Sequence, residues 1–350
     1  MSFSTEKRES MKRYMLEKIR MDDAQFISKT AENFQISVTS VKRYISDCMA
    51  DGIIEECSEK STGYRMVTKE TDFAYATKEY LCEDKIYYTD IYPLLEHTSL
   101  EAQCIWGYCF MEMMNNAIEH ANAANIYCHI RRDYLYTEIS IVDDGIGIFK
   151  NMQEFFMQEL GMRMDVQDTL LELHKGKFTS KPQNHSGEGI FFTSKMLQQF
   201  AILSDGVYFS AGCGQRERLV QSHLLAYYTK LNTIGTMVVM KLENQSNRKP
   251  KEVFDMYAPI EEGFIKTYIP LKEVCPYGEP IARSQARRVL YRLEEFRQVE
   301  FDFAGIDFMG QGFADEIFRV FQKSHPEIEL IPLNANESVR GMIKHVRANL

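Results

Sequence analysis

Along the chain, apolar positions recur every three or four residues in some stretches and every second residue in others, and a few polar runs have neither pattern. The first clear helical period lies in "AQFISKTAENFQISVTSVKRYISDCMADG", residues 24–52. Phe26, Ile27, Thr30, Ala31 and Phe34 make one apolar face there, and Val41, Ile45, Cys48 and Met49 make a second. Ser37 stands between them as an N-cap, and Gly52 ends the second helix in the left-handed conformation. The following "IIEECSEKSTGYRMV" predicts two short strands around a glycine-containing turn.

The central part begins with an anomaly. "MEMMNNAIEHA", residues 111–121, has a helical period yet carries two adjacent asparagines, each costing roughly 0.5 kcal/mol of helix propensity relative to Ala. Glu112, Asn116 and His120 are spaced i, i+4, i+8 and stack on one face, while Met113, Ala117 and Ala121 lie on another with Cys109 and Phe110. Taken alone, the polar stripe reads first as a solvated face. The next strand changes that balance. In "LYTEISIVDDGIGIF" (135–149), alternation places Leu135, Thr137, Ile139, Ile141 and Asp143 on one face, so an apolar face delivers a carboxylate to the interior. A buried carboxylate without a partner costs several kcal/mol, so Asp143 requires a donor. Gly145 and Gly147 follow at once and permit a tight turn or the close approach of a ligand.

Further on, "HKGKFTSKPQNHSGEGIFFTSKMLQQF" (174–200) is a polar, proline-interrupted loop ending in Gly187-Glu-Gly189 before an apolar helix. Free N–H groups at such a helix start suit phosphate. "NTIGTMVVMKL" (232–242) predicts a turn into a buried strand. The polar run "ENQSNRKPKE" (243–252) reads as a linker. Beyond it, "RQVEFDFAGIDFMGQGFADEIFRVFQ" predicts a strand, a glycine-rich turn and a helix whose apolar face is Phe313, Ile317, Val320 and Phe321. The pattern divides the chain into residues 1–70, 71–250 and 255–350, with no internal repeat.

Composition narrows the class. The 350 residues are 45% hydrophobic and 26% charged, as in an ordinary folded protein. No window approaches the ~18 uninterrupted apolar residues of a membrane span. The charged start "MSFSTEKRESMKR" does not read as a signal peptide, so the expectation is a cytoplasmic chain without membrane association. Eight cysteines without C-x-x-C or Cys/His spacing read as reduced thiols. A net charge of −9 confines any nucleic-acid binding to a local basic patch.

The order of motifs now becomes informative. Glu-x-x-x-Asn, Asp-x-Gly-x-Gly, a loop ending Gly-x-Gly, and Gly-Thr on a strand resemble the GHKL ATPases, over roughly residues 85–245. That superfamily includes gyrase, heat-shock chaperones, histidine kinases and anti-sigma-factor kinases. The resemblance implies a Bergerat-type α/β sandwich that binds ATP with Mg²⁺. It implies that Asn116 holds Mg²⁺ against the phosphates, a carboxamide oxygen being a suitable hard ligand. It implies that Glu112 orients or deprotonates the attacking water. Asp143 would accept from the adenine amino group, Gly145 and Gly147 would let the chain pass close to the base, Gly187 and Gly189 would cradle phosphates, and Thr236 would lie near the adenine. "GEGIFF" departs from the longer glycine-rich box of many members. The loop residues Thr179, Ser180, Lys181, His185 and Ser186 stay open: Lys181 or His185 reaches the terminal phosphate, or the loop is solvated. His120 touches phosphate or caps the polar stripe. No P-loop, protein-kinase or dinucleotide fingerprint is present.

The flanking segments carry resemblances of their own. Opposite its apolar face, the second helix of 24–52 presents Thr39, Ser40, Lys42, Arg43 and Ser46, a set suited to phosphate and base edges. With the strands that follow, it resembles a winged helix-turn-helix that binds DNA. The alternative is a helical dimerisation module, and a homodimer, since acidic and basic residues there roughly balance. The C-terminal segment resembles STAS-like modules related to anti-sigma-factor antagonists, in which a serine at this helix start accepts phosphate. Here the turn is Met309-Gly-Gln-Gly312, without a hydroxyl, which favours binding a protein partner. The expectation is a multidomain α/β (α+β) regulator: winged helix, GHKL sandwich, small STAS-like α/β domain. Nucleotide would gate DNA or partner binding, with weak Mg-dependent ATPase activity. The competing expectations are a partner-switching serine/threonine kinase acting on a separate antagonist, and a non-hydrolysing clamp or scaffold.

Overall fold

The first helix, α1 (Thr5–Arg20), buries Met11, Met15, Leu16 and Ile19 along one stripe. The chain is seen in a computed structural model that describes residues 5–78, 81–178, 187–211, 235–275 and 278–348. Helices α2 (Phe26–Phe34) and α3 (Val38–Ala50) follow, joined by a turn in which Gln35 takes the left-handed conformation. Ser37 accepts from the Ser40 N–H and opens α3 as expected. Val41, Ile45 and Cys48 point inward, but Met49 is 36% exposed, because the turn of about 100° from buried Cys48 carries it to the edge of that stripe. Strands β1 (Ile54–Glu56) and β2 (Tyr64–Met66) pair antiparallel beside α3.

Only Val67 and Thr68 separate this unit from β3 (Lys69–Ala76), the edge of an antiparallel sheet. Its remaining strands are β4 (Asn125–Arg132), β5 (Tyr136–Asp143), β6 (Gln199–Ser204), β7 (Val207–Ala211) and β8 (Thr236–Glu243), in the order β3-β4-β5-β8-β6-β7. A short helix α4 (Glu83–Ile86) leads to α5 (Leu100–Glu119), capped by the Ser99 side chain. With α6 (Ile148–Leu160), α7 (Val166–Lys175) and α8 (Gly189–Met196), α5 packs around the core formed by Cys128, Ile130, Ile139, Ile141, Ile202 and Met240 of the sheet. Alternation in β5 holds for Ile139 and Ile141, yet the whole strand is buried, so neither face is solvated. Leu135, expected in the same row, instead joins Tyr136 in the core of the N-terminal unit.

That N-terminal contact is specific. Arg13 pairs with Glu243, the Tyr136 hydroxyl donates to Glu17, and Arg20 lies 4.3 Å over the Tyr136 ring. The turn before β5 is held rigid by Asn244, whose amide donates to the Asp133 and Tyr134 carbonyls while its oxygen accepts from Thr137. Helix α1 thus grips the ends of β5 and β8.

The polar run 243–252 is not an unstructured linker. Pro250 opens a helix, Pro250–Tyr257, because its fixed φ and missing N–H suit the first helical turn. Phe254 packs edge-on against Tyr108 at 5.3 Å and tilted against Phe192 at 4.7 Å. Beyond it, β9 (Lys266–Pro270), β10 (Gln298–Asp302) and β11 (Glu329–Leu333) form a parallel sheet in the order β11-β10-β9. Its helices run Arg283–Leu290, from Gln311 to Ser324, and Glu337–Arg347. A π-turn at Glu316–Phe321 inserts an extra residue into the middle helix, so Phe318 turns inward beside Phe313, Ile317 and Phe321 while Val320 leaves the core. The core is continuous across this boundary: Phe191 lies 4.7 Å from Phe264, which lies 5.4 Å from Phe296. Among the described residues, no helix is long and apolar enough to cross a membrane.

Candidate functional site

Helix α5, the ends of β5 and β8, and the start of α8 enclose a cleft of about 290 Å³. Glu112, Asn116, His120, Asp143, Gly147, Gly187, Gly189 and Thr236 all line it. The polar stripe of α5 therefore faces a cavity, and the helix carries Asn115 as well as Asn116 to its wall. Gly145 stands behind that wall, where its N–H donates to Asp143. Lys181, like the other open loop positions at 179–186, lies outside the described residues.

Asp143 is 5% exposed. Its Oδ1 accepts from the Gly145 N–H at 2.9 Å and the Thr236 N–H at 3.2 Å, and Gly235 packs so tightly on it that a Cβ there would collide with the carboxylate. Burial pushes its pKa up to about 6, against the two backbone donors, which favour the ionised form. The folded state therefore binds this proton more tightly than the unfolded chain. Asp143 stabilises the fold most fully below the ordinary carboxylate pKa, and that contribution is lost as pH rises towards 6. Such an arrangement calls for a ligand that donates to the carboxylate.

Glu112 and Asn116 stand one turn apart at the other side of the cleft. Gly189, the first residue of α8, abuts the Glu112 carboxylate so closely that any side chain would displace it. Helix α8 begins at the cleft wall, with Phe191, Phe192 and Met196 buried to fix its axis. The Phe192 N–H reaches back to the Glu188 carbonyl, so the N–H groups of residues 189–191 precede the first intrahelical bond and suit an anion. Among the described residues, no cluster of three or more His, Cys, Asp or Glu could hold a metal by itself. The single carboxamide of Asn116 fits Mg²⁺, which usually takes few protein ligands and completes its shell with water and phosphate oxygens.

The other cleft residues were not legible as site residues. Asn151 donates to the His120 carbonyl at 2.8 Å and ties α6 to the end of α5. Met152, Leu173, Phe178 and Ile190 supply an apolar wall, with Phe178 stacked on Phe156 at 5.3 Å. Ser204 and Thr236 accept from the Ile148 N–H, fixing the turn after Gly147. Tertiary packing of helices and strand ends brings these groups together.

On the N-terminal unit, Thr39, Lys42 and Arg43 are exposed on α3, and Arg43 lies 5.7 Å from the Tyr44 ring centroid. Ser40 is half-buried, and its hydroxyl shares a 2.9 Å hydrogen bond with Ser37.

Residues 107–199 match the family described as histidine kinase-, DNA gyrase B- and HSP90-like ATPases, and residues 285–340 match a STAS-like domain of unknown function. No curated protein matches the chain. The first match runs from within α5 through β4, β5 and α8 and contains every cleft residue from Glu112 to Gly189; Thr236 falls beyond it. The chain carries an ATP-binding domain of the GHKL type and, after it, a STAS-like domain.

Proposed function

We propose that this chain is a nucleotide-gated regulator whose N-terminal unit is a winged helix that reads DNA. The observation that carries the reading is the path of β5 and β8. One end of the pair presents Asp143 and Thr236 to the nucleotide cleft, and the other end, Tyr136 and Glu243, is held by α1. The two ends are about 24 Å apart at the usual strand rise. Nucleotide that favours one arrangement of this pair also favours one placement of α1, in proportion to its differential affinity for the two.

At the cleft, Asp143 accepts from the adenine amino group, Thr236 and Gly147 border the base, and Gly187 and Gly189 face the phosphates. Asn116 would hold Mg²⁺, which neutralises phosphate charge. Glu112 is the base for water. The STAS-like turn supports a partner-binding role: Gly310 offers no hydroxyl and is backed by the Ile281 carbonyl.

ATP affinity is expected to be flat above pH 6 and to fall towards tenfold per unit below it, as Asp143 takes up a proton. Apo stability moves the opposite way over that range. Titrating ATP binding from pH 5 to 8, with thermal melts of the apo chain over the same range, checks both signs, and a flat binding profile would remove Asp143 as the base-reading group.

For the N-terminal unit, Lys42→Ala or Arg43→Ala is expected to weaken DNA binding and to lower its salt slope by about one unit for each phosphate no longer neutralised. The purified chain is to be titrated with mixed-sequence duplex DNA at low salt, with and without Mg-ATP. Absence of binding in both states refutes the DNA reading and leaves α3 as a dimerisation face.

A further inference from the structure

Lys175, the last residue of α7, and Lys177 just beyond it are both tied to the C-terminal domain. The Lys175 carbonyl accepts from Thr267 Oγ1 at 2.9 Å, and its buried ammonium reaches the Tyr291 carbonyl and, at 2.7 Å, Glu172. Gly176 turns the chain with a positive φ, packed against Phe191. The Lys177 ammonium donates to the Glu295 carbonyl at 2.7 Å and sits 4.3 Å from the Phe296 ring centroid. Arg292 closes the set, donating to the Lys177 carbonyl at 3.4 Å, to Glu172 at 3.2 Å and to Glu295 at 2.7 Å. The next residue, Phe178, is in the cleft wall, whereas Lys177, Arg292 and Glu295 are not.

We infer that the C-terminal domain completes the nucleotide site: Arg292 and the Glu295–Phe296 carbonyl-and-ring seat hold Lys177, and through it position Phe178 as an apolar wall of the cleft. The direction of each side chain carries this. A lysine next to a phosphate-binding cleft would ordinarily be assigned to phosphate, but this one turns away and spends its charge on a backbone carbonyl of the other domain. Its neighbour then has little freedom, since the backbone is fixed on both sides of Lys177. Phe178 stacks on Phe156 of α6 and so closes the apolar side of the cleft. Lys177 and Arg292 are positioning residues: they touch no ligand.

The inference rests on the nucleotide reading of the cleft, and its test separates the two. The full chain is titrated with ATP and with adenosine, and melting temperatures confirm that each variant is folded. Lys177→Met and Arg292→Met are each expected to weaken both ligands by about tenfold, the scale of removing one aromatic packing interaction. Lys177→Arg, which keeps a cation within reach of the Glu295 carbonyl, stays within about threefold of the wild type. In a Phe178→Ala background, Lys177→Met costs less than about twofold more, because the residue it positions is gone. Loss confined to ATP would mean that Lys177 contacts phosphate, and would overturn the inference. So would full additivity with Phe178→Ala, or wild-type affinity in both methionine variants. A wild-type chain that binds neither ligand removes the nucleotide reading, and this inference with it.

Discussion

Asp143→Asn leaves a folded protein that binds ATP at least about 100-fold more weakly than the wild type, because a site built around a buried polar contact strongly rejects a partner that cannot make it. The backbone N–H groups of Gly145 and Thr236 require an acceptor at Oδ1, so the asparagine carbonyl takes that position. Its amide is then turned towards the cleft, where the adenine amino group also presents hydrogens. Two donors face each other in a space with little water. The apo protein is affected in the opposite direction. With its pKa raised to about 6, an ionised Asp143 costs the folded state on the order of 3 kcal/mol at neutral pH, and the neutral amide removes that cost. The variant is therefore expected to melt at or above the wild-type temperature while failing to bind. Calorimetric titration and thermal melts on the same preparation check both. Wild-type affinity in Asp143→Asn would show that the adenine does not sit there.

Asp143 was legible in the sequence for a physical reason. A carboxylate placed by strand alternation among Ile139 and Ile141, and followed by two glycines, violates core chemistry unless something binds it. The asparagine pair stands out for its cost in helix propensity, but on the helix alone it reads as a solvated face, and only the order of the following motifs singles out Asn116. Phe178, Asn151 and Met152 violate nothing locally: an aromatic after a lysine in a loop, or an asparagine on an amphipathic helix, is ordinary. Their place in the cleft comes from how α6 and α7 meet α5, a long-range property. The exchange of Val320 for Phe318 in the core has a different origin, because a π-turn changes the period on which the helical reading relies. Similarly, the composition of 243–252 resembles a linker, but Pro250 at a first helical turn and Phe254 four residues later are enough to build a packed helix. The grip of α1 on β5 and β8 is made by charged and aromatic side chains, Arg13, Glu17 and Tyr136, which read individually as surface residues.

Glu112→Gln is expected to keep ATP affinity within about threefold of the wild type while lowering Mg-dependent turnover by at least about 100-fold, the usual contribution of a positioned general base. The amide is nearly isosteric and preserves the close packing against Gly189 that sets the start of α8, so the N–H groups of that helix start stay in place. What is lost is the capacity to take a proton from water. Glu112→Ala is a harsher change, because it opens space beside Gly189 and frees the helix start to shift. Comparing the two separates chemistry from architecture: equal loss of turnover with affinity retained in Gln marks Glu112 as the base. If affinity instead falls in both, Glu112 serves to build the phosphate cradle. The readouts are steady-state phosphate release and equilibrium binding on one preparation, with Asp143→Asn as the non-binding reference. Turnover in Glu112→Gln equal to the wild type would exclude Glu112 as the base. Binding without turnover in the wild type would place the chain among proteins that use ATP only as a ligand, with gating driven by occupancy alone.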